Sequence, residues 1–118
     1  MNPTPPEPDE GDLNGKASRR RARLHQAAVE RERLARHKRI AAALLAASIE
    51  ERKGLIEGAR QVVQRWRLEC LCSADYIDRW SEILDMPVPE MAASMVSDFD
   101  GWGTALRQNS PWVGTGCG

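Results

Sequence analysis

At 118 residues the chain is long enough for one domain but leaves little core once loose ends are subtracted. Charged residues make up 29% and aromatic residues 5%, a mixture suited to exposed helices and poor for a sandwich or barrel, so the expected class is all-α. The formal net charge is zero, and the longest nearly uninterrupted apolar run, Ile40 to Ile49, is about half of the roughly 20 residues a membrane span requires.

Residues 1–17 read as a disordered acidic tail, because the stretch to Gly15 holds Pro3, Pro5, Pro6 and Pro8 and four acids without a base. Ser18 then opens a run to Ala47 with neither Gly nor Pro and rich in Ala, Arg, Leu and Glu, all good helix formers. A long helix is expected over 18–72. Its first part is basic: residues 16–39 carry ten Lys/Arg against Glu30 and Glu32, a net of +8. Glu30 with Arg33 and Glu32 with Arg36 lie at helical spacing and add a few tenths of a kcal/mol each. Ser48-Ile49-Glu50-Glu51 has capping-box spacing and offers a kink or restart. In a continuous rod Gly54 and Gly58 would each cost about 1 kcal/mol relative to Ala.

From Leu45 onward, positions 45, 49, 52, 56, 59, 63, 66 and 70 alternate steps of four and three, and all but Arg52 are apolar. This heptad seam predicts self-association through Leu45, Ile49, Ile56, Ala59, Val63 and Trp66. Leu44, Leu55 and Val62 widen the stripe toward a bundle-like face. Projected upstream, the register meets Ala42, Lys38, Ala35, Arg31, Ala28 and Leu24, and the seam fades.

Residues 73–112 read as an acidic module of three short helices, and residues 73–118 carry a net of −5. Ser73 is placed as an N-cap, with Ile77, Trp80, Ile83 and Leu84 forming one helical face ending near Asp85. Pro89 and Glu90 begin the next helix through Ala92, Met95 and Val96. Asp98 or Asp100 is expected to cap a last helix over Trp102 to Gln108, and residues 113–118 to form a flexible tail.

Patterns that would carry chemistry are missing. His25 and His37 are both on the basic arm, too far apart to share one turn. Cys70 and Cys72 point different ways at a helix end, with no second ligand pair of zinc-like spacing, so they read as structural thiols, and Cys117 as exposed and free. Three cysteines are an odd set, and a reducing cytoplasm is the expected compartment. The apolar run begins too late, behind Glu30 and Glu32, for a secretory signal. Gly101-Trp102-Gly103 lacks the rest of a phosphate loop, and Asp75 with Asp78 read as a solvated face. No catalytic residue, metal ligand or cofactor is assigned, and no enzyme is expected.

Of the four tryptophans, Trp66 and Trp80 read as core, while Trp112, beyond the last helix, is a candidate partner-interface anchor. The arm is the sharpest feature. Arg19, Arg20, Arg21, Arg23, Arg31, Arg33, Arg36, Lys38 and Arg39, with Lys16, neutralise phosphates at high density, which makes the backbone of DNA or RNA the natural partner. A solvated charged helix is the plain alternative. A basic helix feeding a heptad seam resembles the basic-zipper layout in architecture only. That family's Asn-centred base-reading pattern is absent, Gln26-Ala27-Ala28 being the nearest approach.

Tyr76-Ile77-Asp78-Arg79-Trp80 and Leu106-Arg107-Gln108-Asn109-Ser110-Pro111-Trp112 resemble the ends of small uncharacterised bacterial proteins of regulatory or toxin–antitoxin contexts. The resemblance covers about a third of the chain and implies a cytoplasmic binding protein. The resulting expectation is a non-catalytic, homo-oligomeric helical protein that contacts nucleic acid non-specifically through its arm. The alternative is a protein–protein adaptor or antitoxin-like neutraliser of an acidic protein, and no membrane partner is expected.

Overall fold

The computed structural model describes residues 8–98 and 101–113, with side chains from Gly15 onward. Five α-helices and no strand occur among them: α1 (Pro8–Ala46), α2 (Ile49–Glu69), α3 (Ala74–Leu84), α4 (Val88–Val96) and α5 (Gly103–Gln108). The all-α expectation holds. Residues 1–7 and 114–118 lie outside the described residues, while residues 8–17, expected to be a disordered tail, are helical. α1 nevertheless starts ten residues before the expected Ser18, at Pro8, where a residue without an N–H loses no helical hydrogen bond.

The expected long helix is two helices. Ser48 is extended (φ −65°, ψ 164°), and its Oγ accepts a hydrogen bond from the Glu51 N–H at 3.2 Å, so the restart at this N-cap is real. The end of α1 is closed from the far side of the break. Arg52 Nε donates to Leu44 O at 2.9 Å, and its Nη2 donates to Leu45 O at 3.2 Å and Ala47 O at 3.4 Å. A cation thus meets carbonyls that have no helical partner, at the negative end of the helix dipole. This explains the one polar residue in the seam.

α2 ends at Cys70, whose left-handed backbone (φ 54°, ψ 39°) lets its N–H reach Trp66 O. Ser73 holds the N-cap position of α3 but makes no side-chain cap bond. The face expected of α3, Ile77, Trp80, Ile83 and Leu84, is buried as a set. α4 buries Met91, Ala92 and Met95, with Pro89 in its first turn. Asp98 does not cap α5. It receives Arg107 Nη2 at 2.5 Å instead, while Asp100 lies outside the described residues. Gly103 starts α5 where a Cβ would run into the Asp98 side chain and the Ser97 carbonyl, so a larger residue could not enter this turn.

The chain divides into two compact units, one ending at Arg31 and one beginning at Glu32. The second unit holds the core: Leu44 from α1, Ala59, Val63 and Trp66 from α2, the α3 face, Met91 and Met95 from α4, and Leu106 from α5. Trp66 and Trp80 are fully buried, as expected. α3 is the centre of this layer, packed on α2 to one side and α4 to the other.

Heptad logic favours an apolar residue at position 52, yet Arg52→Leu should lower stability by about 1–2 kcal/mol, because three carbonyls at the end of α1 lose a charged donor. Urea unfolding followed by circular dichroism measures this. A neutral or stabilising outcome would mean the three bonds contribute nothing.

Candidate nucleic-acid interface

In a helix, residues three and four apart share a face, so Lys16, Arg20, Arg23 and Arg31, with Ala27 between, form one stripe on α1. At a rise of about 1.5 Å per residue the stripe is roughly 20 Å long. Arg19 flanks it and Arg21 projects from another side. All of these cations are exposed, and among the described residues none of them meets a carboxylate. Arg21 makes a single long contact, to Ser18 Oγ at 3.5 Å. Glu30, the one acid in this stretch, takes the Gln26 amide at 3.3 Å.

The other four predicted contacts lie in the second unit and differ. Arg36 and Arg39 both reach Glu32 Oε1, at 4.0 and 3.4 Å, in exposed pairs of the kind worth about 0–1 kcal/mol, which a phosphate can displace at little cost. Lys38 is exposed. Arg33 is half-buried, and its Nη1 is sequestered without a hydrogen-bond partner, so it drops out of the phosphate-facing set.

The predicted oligomer seam is largely used within the chain. Ala59, Val63 and Trp66 are buried against the chain's own core, and Ile56 is half-buried on the same cluster. Only Leu45, 53% exposed, and Ile49, 67% exposed, stay open. The physical reason is that Ile77, Trp80, Ile83 and Leu84 of α3 supply an apolar face that covers α2. Trp112 is half-buried against the core too, its backbone N–H donating to Ser110 Oγ at 3.2 Å and its indole Nε1 buried without a hydrogen-bond partner among the described residues.

His37, read from sequence as part of the arm, is fully buried. Its Nδ1 lies 2.7 Å from Arg33 O and its Nε2 2.7 Å from Ser110 Oγ, and its ring stacks on Trp80 with centroids 6.3 Å apart. Burial holds its pKa below the usual 6.5. The hydrogen bond to Arg33 O acts in the opposite sense, while the charges of Arg107 and Arg36 push the same way as burial. The signal that would have found His37 is the stripe His37, Ile40, Ala41 and Leu44, at i, i+3, i+4 and i+7. The register projected back from α2 instead ran through Lys38, Ala42 and Leu45, one residue out of phase, because the break at Ser48 resets the helical phase.

His37 and Ser110 stand at the distance of a base and a nucleophile. Ser110 is only 4% exposed, His37 is fully buried, and neither residue lines either of two surface clefts. One cleft, of about 270 Å³, lies among Ile83, Met86, Trp102 and Leu106, with the Arg79 guanidinium 5.0 Å above the Trp102 ring centroid. The other, of about 280 Å³, is walled by Val63, Leu84 and the Arg60–Asp85 ion pair. Among the described residues no group of three His, Cys, Asp or Glu is placed to hold a metal, and no helix is long and apolar enough to cross a membrane. Cys70 is an exposed free thiol. Cys72, expected to be a reduced structural thiol, is disulfide-bonded, and Cys117 lies outside the described residues.

No family model, no curated protein and no solved structure matches this chain. Without reductant, iodoacetamide should label Cys70 in the native protein, while Cys72 should label only after reduction and unfolding, with peptide mass spectrometry as the readout. Labelling of Cys72 in unreduced, unfolded protein would show that the bond does not form.

Proposed function

We propose that the protein is a non-catalytic helical binding protein that contacts the phosphate backbone of nucleic acid through the exposed cations of α1, without reading base sequence. One observation carries this reading: Lys16, Arg19, Arg20, Arg21, Arg23 and Arg31 are clustered on one exposed helical segment and, among the described residues, none is neutralised by a carboxylate. A local field of this kind attracts polyanions even though the net charge of the chain is zero. Phosphate contacts position a protein without reading bases, and no Asn-centred reading pattern accompanies these cations. The Cys72 disulfide argues against the reducing cytoplasm expected from the cysteine count, since such bonds persist mainly in oxidising compartments.

Binding dominated by phosphates should fall steeply with salt, by about 0.9 log units of affinity per log unit of salt for each neutralised phosphate. Replacing Arg19, Arg20, Arg21 and Arg23 together by Ala should flatten that slope by about 3–4 and weaken two unrelated duplexes equally, with helix content unchanged because Ala is the better helix former. Fluorescence anisotropy across a salt series reads all of this. Absence of binding at low salt would overturn the nucleic-acid reading in favour of the adaptor or antitoxin-like alternative, with an acidic protein against the arm.

Self-association is proposed on a smaller surface than the full seam, centred on the exposed Leu45 and Ile49 beside the break between α1 and α2. Leu45→Asp with Ile49→Asp should then shift the protein toward monomer in sedimentation velocity at micromolar concentration, without loss of fold, since both positions lie outside the core. A wild type that is strictly monomeric would remove the proposal.

A further inference from the structure

We propose that the C-terminal segment Asn109 to Val113 is an acid-released latch, held shut by neutral His37 through Ser110 and opened when His37 takes up a proton. The bonding fixes which form of the ring the latch recognises. Arg33 O can only accept, so Nδ1 carries the proton and donates to it. Nε2 then holds a lone pair and accepts the Ser110 hydroxyl proton at 2.7 Å, while the same Oγ accepts the Trp112 N–H at 3.2 Å. With the ring neutral, the chain from Trp112 through Ser110 and His37 to Arg33 runs in one direction; with the ring charged, Nε2–H would donate to Ser110 Oγ and the hydroxyl proton would have to turn to another acceptor.

Protonation turns the Ser110 hydroxyl proton away from Nε2, costing it its present acceptor, and puts a cation in a fully buried site. The charged neighbours make this worse from every side that carries charge. α1 presents Arg33 and Arg36, and α5 presents Arg107. α3 contributes only the Trp80 ring, and the latch itself only Asn109 and Ser110. The nearby carboxylates are already engaged, Glu32 with Arg36 and Asp98 with Arg107, and both are largely exposed. The charged ring must gain water, and the element that can yield is the latch. α1 and α3 place fully buried side chains in the core, whereas the segment reaches it through half-buried Trp112 and is tied by bonds that include the Ser110 bond, Trp80 Nε1 donating to Asn109 O at 2.7 Å, and Asn109 reaching back to Ala105 O.

The sign follows from the neutral form being the bound one. With the folded-state pKa of His37 held below 6.5 by burial first, the latch contributes fully above about pH 6.5 and loses its hold as pH falls from there through the lowered value. Hydrogen–deuterium exchange of the full-length protein from pH 7.5 to 4.5, corrected for intrinsic exchange, tests this directly. Protection of a peptide spanning residues 105–113 should fall by about tenfold for each pKa unit by which the ring is depressed, while peptides from α2 and α3 keep their protection. His37→Phe, which retains a ring for Trp80 but cannot titrate, should abolish the pH dependence. Should that variant fail to fold, NMR of the wild type serves instead: the His37 ring and the Trp80 Nε1–H resonance should titrate with a common midpoint. A segment whose protection is flat with pH, a pH dependence that survives in His37→Phe, or an indole resonance that ignores the His37 titration would each overturn the latch.

Discussion

A buried indole needs somewhere to send its N–H, and much of the second unit follows from how Trp80 meets that need. Trp80 is fully buried at the centre of α3, and its Nε1 donates to Asn109 O at 2.7 Å. That bond fixes the chain just past α5. One residue further on, Ser110 is brought to His37, whose ring stacks on the same indole. A single core side chain thus ties together α1, α3 and the C-terminal segment. Loss of the indole would remove a large buried volume, about 3–5 kcal/mol in a typical core, and would unseat the histidine and serine as well.

Electrostatics divide along the same line as the two units. Within the second unit several acids are matched by cations: Arg60 meets Asp85 at 2.7 Å and caps α3 at Leu84 O, Arg67 meets Asp78 at 3.3 Å, and the buried Arg107 meets Asp98. From Lys16 to Arg31 the first unit shows no such matching among its described side chains, and exposed cations outnumber Glu30, the one acid of that stretch. Exposed pairs contribute little to stability. The matching therefore matters less for holding the fold than for the field it leaves, which is strongly positive from Lys16 to Arg31 of α1.

Much of this was readable in the sequence. Local rules sufficed for the all-α class, the Ser48 cap, the α3 face of Ile77, Trp80, Ile83 and Leu84, the burial of Trp66 and Trp80, and the exposure of Arg19 to Arg31, because each depends on spacing, capping chemistry or polarity within a few residues. What the sequence could not fix was what the apolar stripe of α2 packs on. A seam of Ala59, Val63 and Trp66 looks the same whether another chain or α3 covers it, and only the tertiary structure assigns it to α3. The register of α1 was lost for a related reason: a heptad count carries phase across a continuous helix, and the break between Ala46 and Ile49 discards it, turning His37 inward and Leu45 outward. Arg52, Asp98 and Ser110 have partners 8, 9 and 73 residues away, and nothing local announces such pairings. Sequence by itself determined which segments are helical and where charge is exposed, since those are properties of neighbours along the chain. Tertiary structure alone decided which faces close on each other and which polar groups are buried together, since those depend on how the chain returns to itself.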